Sequence, residues 1–78
     1  MRALIVESNE KLGKIWKSYL EGMDVAVTLS LTGDDALERI TEVVYDVIVL
    51  DLVLKGGSAL PIADLAYFRQ PSANVVFV

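Results

Sequence analysis

The sequence predicts an α/β protein built on a parallel sheet, and three observations predict it. Short continuous apolar runs recur at residues 3–6, 47–50 and 75–78, which suits strands buried on both faces. Between them lie segments whose apolar residues fall at helical spacing. The connections are short and carry Ser, Asn, Thr, Gly or Pro. Strands alternating with helices over short links give parallel pairing and right-handed crossovers.

Element by element, Ala3–Val6 is the first strand, and Ser8 or Asn9 can cap the helix that follows it. In that helix Leu12, Ile15, Trp16, Tyr19 and Leu20 form one apolar stripe, so Trp16 is expected in the core, and Gly22 supplies the stop. Val25–Leu29 alternates and reads as an edge strand. Thr32 followed by Asp35 resembles a capping box and opens a second helix carrying Ala36, Leu37, Ile40 and Val44. Asp46 leads into the strongest strand, Val47–Leu50, which ends on Asp51. A Lys55–Ser58 loop follows, with Ser58 a candidate N-cap. Pro61 is tolerable only in the first turn of a third helix reaching about Gln70, and Val75–Val78 is the fourth strand.

Composition narrows the chemistry. The chain has 78 residues, one small domain at most, and is 54% hydrophobic, which favours an ordered core over disorder. The net charge of −4 argues against direct nucleic-acid binding, which leans on basic excess. With no cysteine there is no disulfide or thiolate metal site, and with no histidine there is no imidazole base or ligand. No apolar run approaches a membrane span and Met1-Arg2 leads straight into ALIV, so the expected setting is the cytoplasm, with no membrane partner.

The chemistry-bearing feature is a pair of carboxylates at strand ends. Ligands of open parallel sheets bind beyond the carboxyl ends of the strands. The first strand ends at Glu7 and the third at Asp51. If those strands are neighbours the two carboxylates converge, and an oxygen-seeking dication relieves their repulsion. Mg²⁺ suits such a site because it takes one or two carboxylates and leaves room for a phosphoryl group. The plainer alternatives are that Asp51 caps a turn and that Glu7 favours a helix dipole.

The layout LIVESNE…YDVIVLDLVLKGGSAL resembles the receiver domain of two-component response regulators. The resemblance implies a flavodoxin-like doubly wound fold with strand order 2-1-3-4, and Asp51 as phosphoacceptor. Glu7 and Ser8 fall on the family's acidic pair, so the implied Mg²⁺ ligands are Glu7, Asp51 and the Val53 backbone carbonyl. Ser8 is read first as a helix cap and only second as a ligand. The implied partner is a sensor histidine kinase or a histidine phosphotransfer protein, and the module is not expected to be an enzyme beyond its own phosphorylation. Departures from the pattern are Ser8 for an acid, Lys55 for the usual proline and Ala59 for a frequent glycine. The family's switch Ser/Thr and its Lys fall beyond Val78, so residues 1–78 are expected to be a receiver-like domain lacking its last α-β-α portion. An exposed fourth strand then predicts self-association. Lys11, Lys14 and Lys17 are a solvated helix face or, alternatively, a partner surface. A pseudo-receiver that binds a protein without phosphorylation is the competing reading, and a small phosphatase or hydrolase is a third.

Overall fold

The structure, a computed structural model, describes residues 1–55 and 57–78. In chain order these form β1 (Arg2–Val6), α1 (Glu10–Glu21), β2 (Ala26–Ser30), α2 (Gly33–Glu42), β3 (Val47–Leu50), β4 (Val53–Leu54), β5 (Gly57–Ser58), α3 (Leu60–Arg69) and β6 (Asn74–Phe77). The long strands make one parallel sheet in the order β2-β1-β3-β6, the expected 2-1-3-4 arrangement with β6 as its fourth strand. β1 lies beside β3 with Val6 opposite Leu50, so both strands end at the same edge. Where the sequence suggested a plain loop, β4 and β5 pair as a small antiparallel ribbon, Val53 opposite Ser58 and Leu54 opposite Gly57. Gly56 of the expected Lys55–Ser58 loop lies outside the described residues.

Alternation along the strands divides the apolar residues between two faces. Leu4, Val6, Ile48 and Leu50 join Ala36 and Ile40 of α2 and Ile62, Ala63 and Ala66 of α3 in the main core. The opposite face carries Ala3 and Ile5, both fully buried, and is covered by α1 alone. A Cβ on Gly13 would stand 2.7 Å from Leu29 Cδ1, so the missing side chain is what lets α1 lie this close to β2.

That placement corrects the expectation for the α1 stripe. Only Trp16 and Leu20 of the stripe are half-buried; Ile15 is 57% and Tyr19 71% exposed, and Leu12 is exposed as well. Leaning towards β2 and β1, α1 leaves the β3 and β6 half of its face open, and Val76 and Val78 are exposed there.

The helix ends fall close to where the sequence signals put them, with differences of detail. Asn9, not Ser8, caps α1 by accepting the Leu12 N–H at 3.1 Å. Gly22 does end α1 but stays right-handed, and the left-handed residue of the turn is Asp24 at φ 62°, a conformation its short polar side chain tolerates. Thr32 accepts the Asp35 N–H at 3.1 Å as a cap should, while the Asp35 carboxylate turns away to Ser30 Oγ (2.6 Å) and Arg39 Nε (3.0 Å). Ser58 accepts the Leu60 N–H at 3.2 Å from one residue before the cap position, Ala59, and Pro61 sits in the first turn as required.

Helix α2 stops at Glu42, so Val44 is exposed in the following loop and Tyr45 is buried in its place. Buried Gln70, just past α3, organises this loop: its Oε1 accepts the Tyr45 N–H at 2.7 Å. Its Nε2 donates to the Ile40 carbonyl at 2.9 Å and to that of Val43. The side chain thus satisfies carbonyls that α2 leaves unpaired at its C-terminus.

Candidate functional site: two carboxylates at the ends of β1 and β3

The sheet pairing carries Glu7 and Asp51 past the same edge. The Glu7 N–H donates to the Ser30 carbonyl and the Asp51 N–H to the Val6 carbonyl, each at 3.0 Å, so both residues are held by continuing ladder bonds. Their carboxyls lie close enough for Asp51 to act on the ionisation of Glu7. Glu7 is only 4% exposed, and burial pushes its carboxyl above the usual carboxylate range. The Asn9 N–H, donated to Glu7 Oε1 at 3.0 Å, opposes that shift, while the hydrogen bond and charge of Asp51 add to it. Asp51 is half-buried and its Oδ1 accepts the Val53 N–H at 3.0 Å. The turn-capping role weighed for Asp51 is therefore realised.

A hard dication suits this donor set. The facing groups are all oxygen, and a bound cation would favour the ionised form of Glu7 that burial and the neighbouring Asp51 disfavour. Glu7 and Asp51 are the carboxylates that could hold such a cation, and Val53, the third expected ligand, follows Asp51 closely, its N–H bonded to Oδ1. No cluster of three or more Asp, Glu, His or Cys able to bind a metal occurs among the described residues, so two carboxylates are the full acidic complement.

Ser8 is not the cap of α1. Its Oγ accepts the Lys55 N–H at 3.1 Å, joining the turn after β1 to the ribbon after β3. Nothing in the spacing of Ser8 and Lys55 signals that bond, because it exists only once β1 and β3 lie side by side. On α1, Lys14 pairs with Glu10 at 3.7 Å and Lys17 with Glu21 at 3.1 Å, exposed pairs one helical turn apart, while Lys11 is exposed. None of the three approaches the carboxylates through an ion pair. The Ser/Thr and Lys that the resemblance puts beyond Val78 lie outside this sequence.

The chain is similar to known regulatory proteins. The chain is 34% identical over 62 residues to the transcriptional regulatory protein DltR of Streptococcus agalactiae, covering 80% of this chain and 28% of that protein. It is 41% identical over 59 residues to the transcriptional regulatory protein BaeR of Escherichia coli, covering 76% of this chain and 25% of that one. The chain thus spans about a quarter of these relatives. Among solved structures, a response regulator from Burkholderia pseudomallei with a phosphorylated aspartic acid, calcium ion and citrate superposes with a TM-score of 0.86 at 28% identity. That match covers 97% of this chain and 45% of the other. No family model matches the chain. In fold and in sequence the chain resembles response-regulator receiver domains and shares their flavodoxin-like architecture. Among the described residues no helix is long and apolar enough to cross a membrane.

Proposed function

We propose that this chain is a cytoplasmic phosphoacceptor module in which Asp51 takes a phosphoryl group from the phosphohistidine of a sensor histidine kinase or a histidine phosphotransfer protein. The observation that carries the reading is the pairing of Asp51 with Glu7 at the shared end of β1 and β3. A carboxylate oxygen of Asp51 attacks phosphorus to form an acyl phosphate, and the P–N bond breaks with its electron pair leaving on the imidazole. Such transfer depends on in-line placement and charge neutralisation more than on a strong base. The Val53 N–H on Oδ1 fixes the orientation of the nucleophile. Mg²⁺, when bound, supplies the charge neutralisation, with Glu7, Asp51 and the Val53 carbonyl as its protein ligands. The Burkholderia structure supports the reading, since it is described with a phosphorylated aspartate and a divalent cation.

The test is intact-mass measurement after incubation with acetyl phosphate or phosphoramidate, with and without Mg²⁺. One Mg²⁺-dependent phosphoryl group, absent from the Asp51→Asn variant, is the expected result. A folded sample that gains none refutes it and favours the pseudo-receiver, a reading supported by the hydroxyl of Ser8 where the family pattern has an acid.

A further inference from the structure

The ribbon that follows Asp51 is too small to hold its own shape. β4 and β5 contribute two residues each, well short of an independently stable hairpin. Within it Leu54 is buried while Val53 is 80% exposed, so packing fixes one residue of β4 and not the other. Backbone bonds hold its start, the Asp51 N–H to the Val6 carbonyl at 3.0 Å and the Leu52 N–H to the Val78 carbonyl at 3.1 Å. Further along, two side chains hold it: Asp51 Oδ1 takes the Val53 N–H at 3.0 Å, and Ser8 Oγ takes the Lys55 N–H at 3.1 Å from 47 residues away in sequence. Of these two side-chain bonds, the second ties the Lys55 end of the segment to the turn after β1.

We propose that Ser8 is a positioning residue of the Asp51 site: its hydroxyl anchors the Lys55 amide, which fixes the Asp51–Lys55 segment and the Val53 carbonyl without itself holding a cation. The site then rests on the two carboxylates and the carbonyl, and the neutral hydroxyl does structural work at the position where the family pattern has an acid. The inference deepens the phosphoacceptor reading and rests on it for the purpose of the positioning. The existence of the tether does not depend on it.

Two variants, compared with the unaltered protein, test the proposal. Ser8→Ala removes the acceptor and Ser8→Thr keeps a hydroxyl. In Ser8→Ala, amide hydrogen exchange at Lys55 is expected to accelerate about tenfold, the value of one lost hydrogen bond, with the amides of β1 and β3 unchanged. Ser8→Thr restores the slow exchange. A titration with Mg²⁺ alone, followed by the backbone amide signals of Val53 and Leu54, separates positioning from ligation. Half-saturation in Ser8→Ala shifts by no more than the roughly tenfold that one lost hydrogen bond allows, while the rate of phosphorylation by acetyl phosphate at saturating Mg²⁺ falls and recovers in Ser8→Thr.

Unchanged Lys55 exchange in Ser8→Ala overturns the proposal. So does a phosphorylation defect that saturating Mg²⁺ abolishes, because that is the signature of a lost ligand. If the reference protein gains no phosphoryl group, the phosphoacceptor reading fails by itself, and the Lys55 exchange still decides whether Ser8 forms the tether.

Discussion

Replacing Gln70 by leucine should be among the most damaging single changes in this small domain. The two side chains are of similar size, so the substitution removes hydrogen bonds with little change in volume. The Tyr45 N–H loses its acceptor at 2.7 Å, and the Ile40 and Val43 carbonyls lose their shared donor. Gln70 and Tyr45 are almost fully buried, so water cannot readily replace what is lost. An unsatisfied buried N–H costs about 1–3 kcal/mol, and under-satisfied carbonyls add about 1 kcal/mol, for a sum near 3 kcal/mol. A domain of this size is stable by roughly 4–12 kcal/mol, so the loss is a large fraction of the total. The assay is urea unfolding followed both by the fluorescence of Trp16, the single tryptophan, and by far-ultraviolet circular dichroism. The midpoint should fall with the slope unchanged, and the thermal midpoint should drop by about 10–20 °C. A loss below about 0.5 kcal/mol, the range of ordinary surface substitutions, would refute the reasoning. It would mean that the end of α2 and Tyr45 find other partners at no cost.

Two further outcomes follow from the charged groups. Glu7 has a raised folded pKa, so its contribution to stability is complete below its unfolded value of 4.5 and is lost as pH rises through the folded one. Glu7→Gln should therefore raise the thermal midpoint in metal-free buffer at neutral pH and flatten its dependence on pH; a variant that melts below the parent at neutral pH contradicts this. Asp35 behaves oppositely, its carboxyl lowered first by the Ser30 hydroxyl and then by Arg39, so its contribution is present above its unfolded value of 3.8 and is lost as pH falls through the folded one. Ser30→Ala should cost about 1–2 kcal/mol near pH 7 by chemical denaturation, a deficit that narrows in acid; a deficit that grows in acid would contradict this.

The periodicities of two and 3.6 residues are local, and they placed the elements well. The apolar runs at Ala3–Val6 and Val47–Leu50 could only be buried strands, and Asp51 at the end of the second had to emerge at the rim of the sheet. Alternation with helices then dictated parallel pairing, which is why β1 and β3 both deliver a carboxylate to one edge. The likeness to receiver domains added the strand order, and with it the neighbourhood of Glu7 and Asp51. Local spacing does not say how far a helix leans, and there the expectation for α1 failed. Gly13 lets that helix settle against Leu29, so Ile15 and Tyr19, apolar and correctly spaced, remain exposed.

By itself, then, the sequence determined the alternating elements and the acidic strand ends, because burial of apolar runs and helical faces is encoded residue by residue. The tertiary structure decided which polar groups meet. Ser8 finds the Lys55 amide across 47 residues, and Gln70 finds Tyr45 across 25. A hydrogen bond needs its two atoms within about 3 Å in the right direction, and only the docking of β1 on β3 and of α3 beside α2 brings these atoms that close.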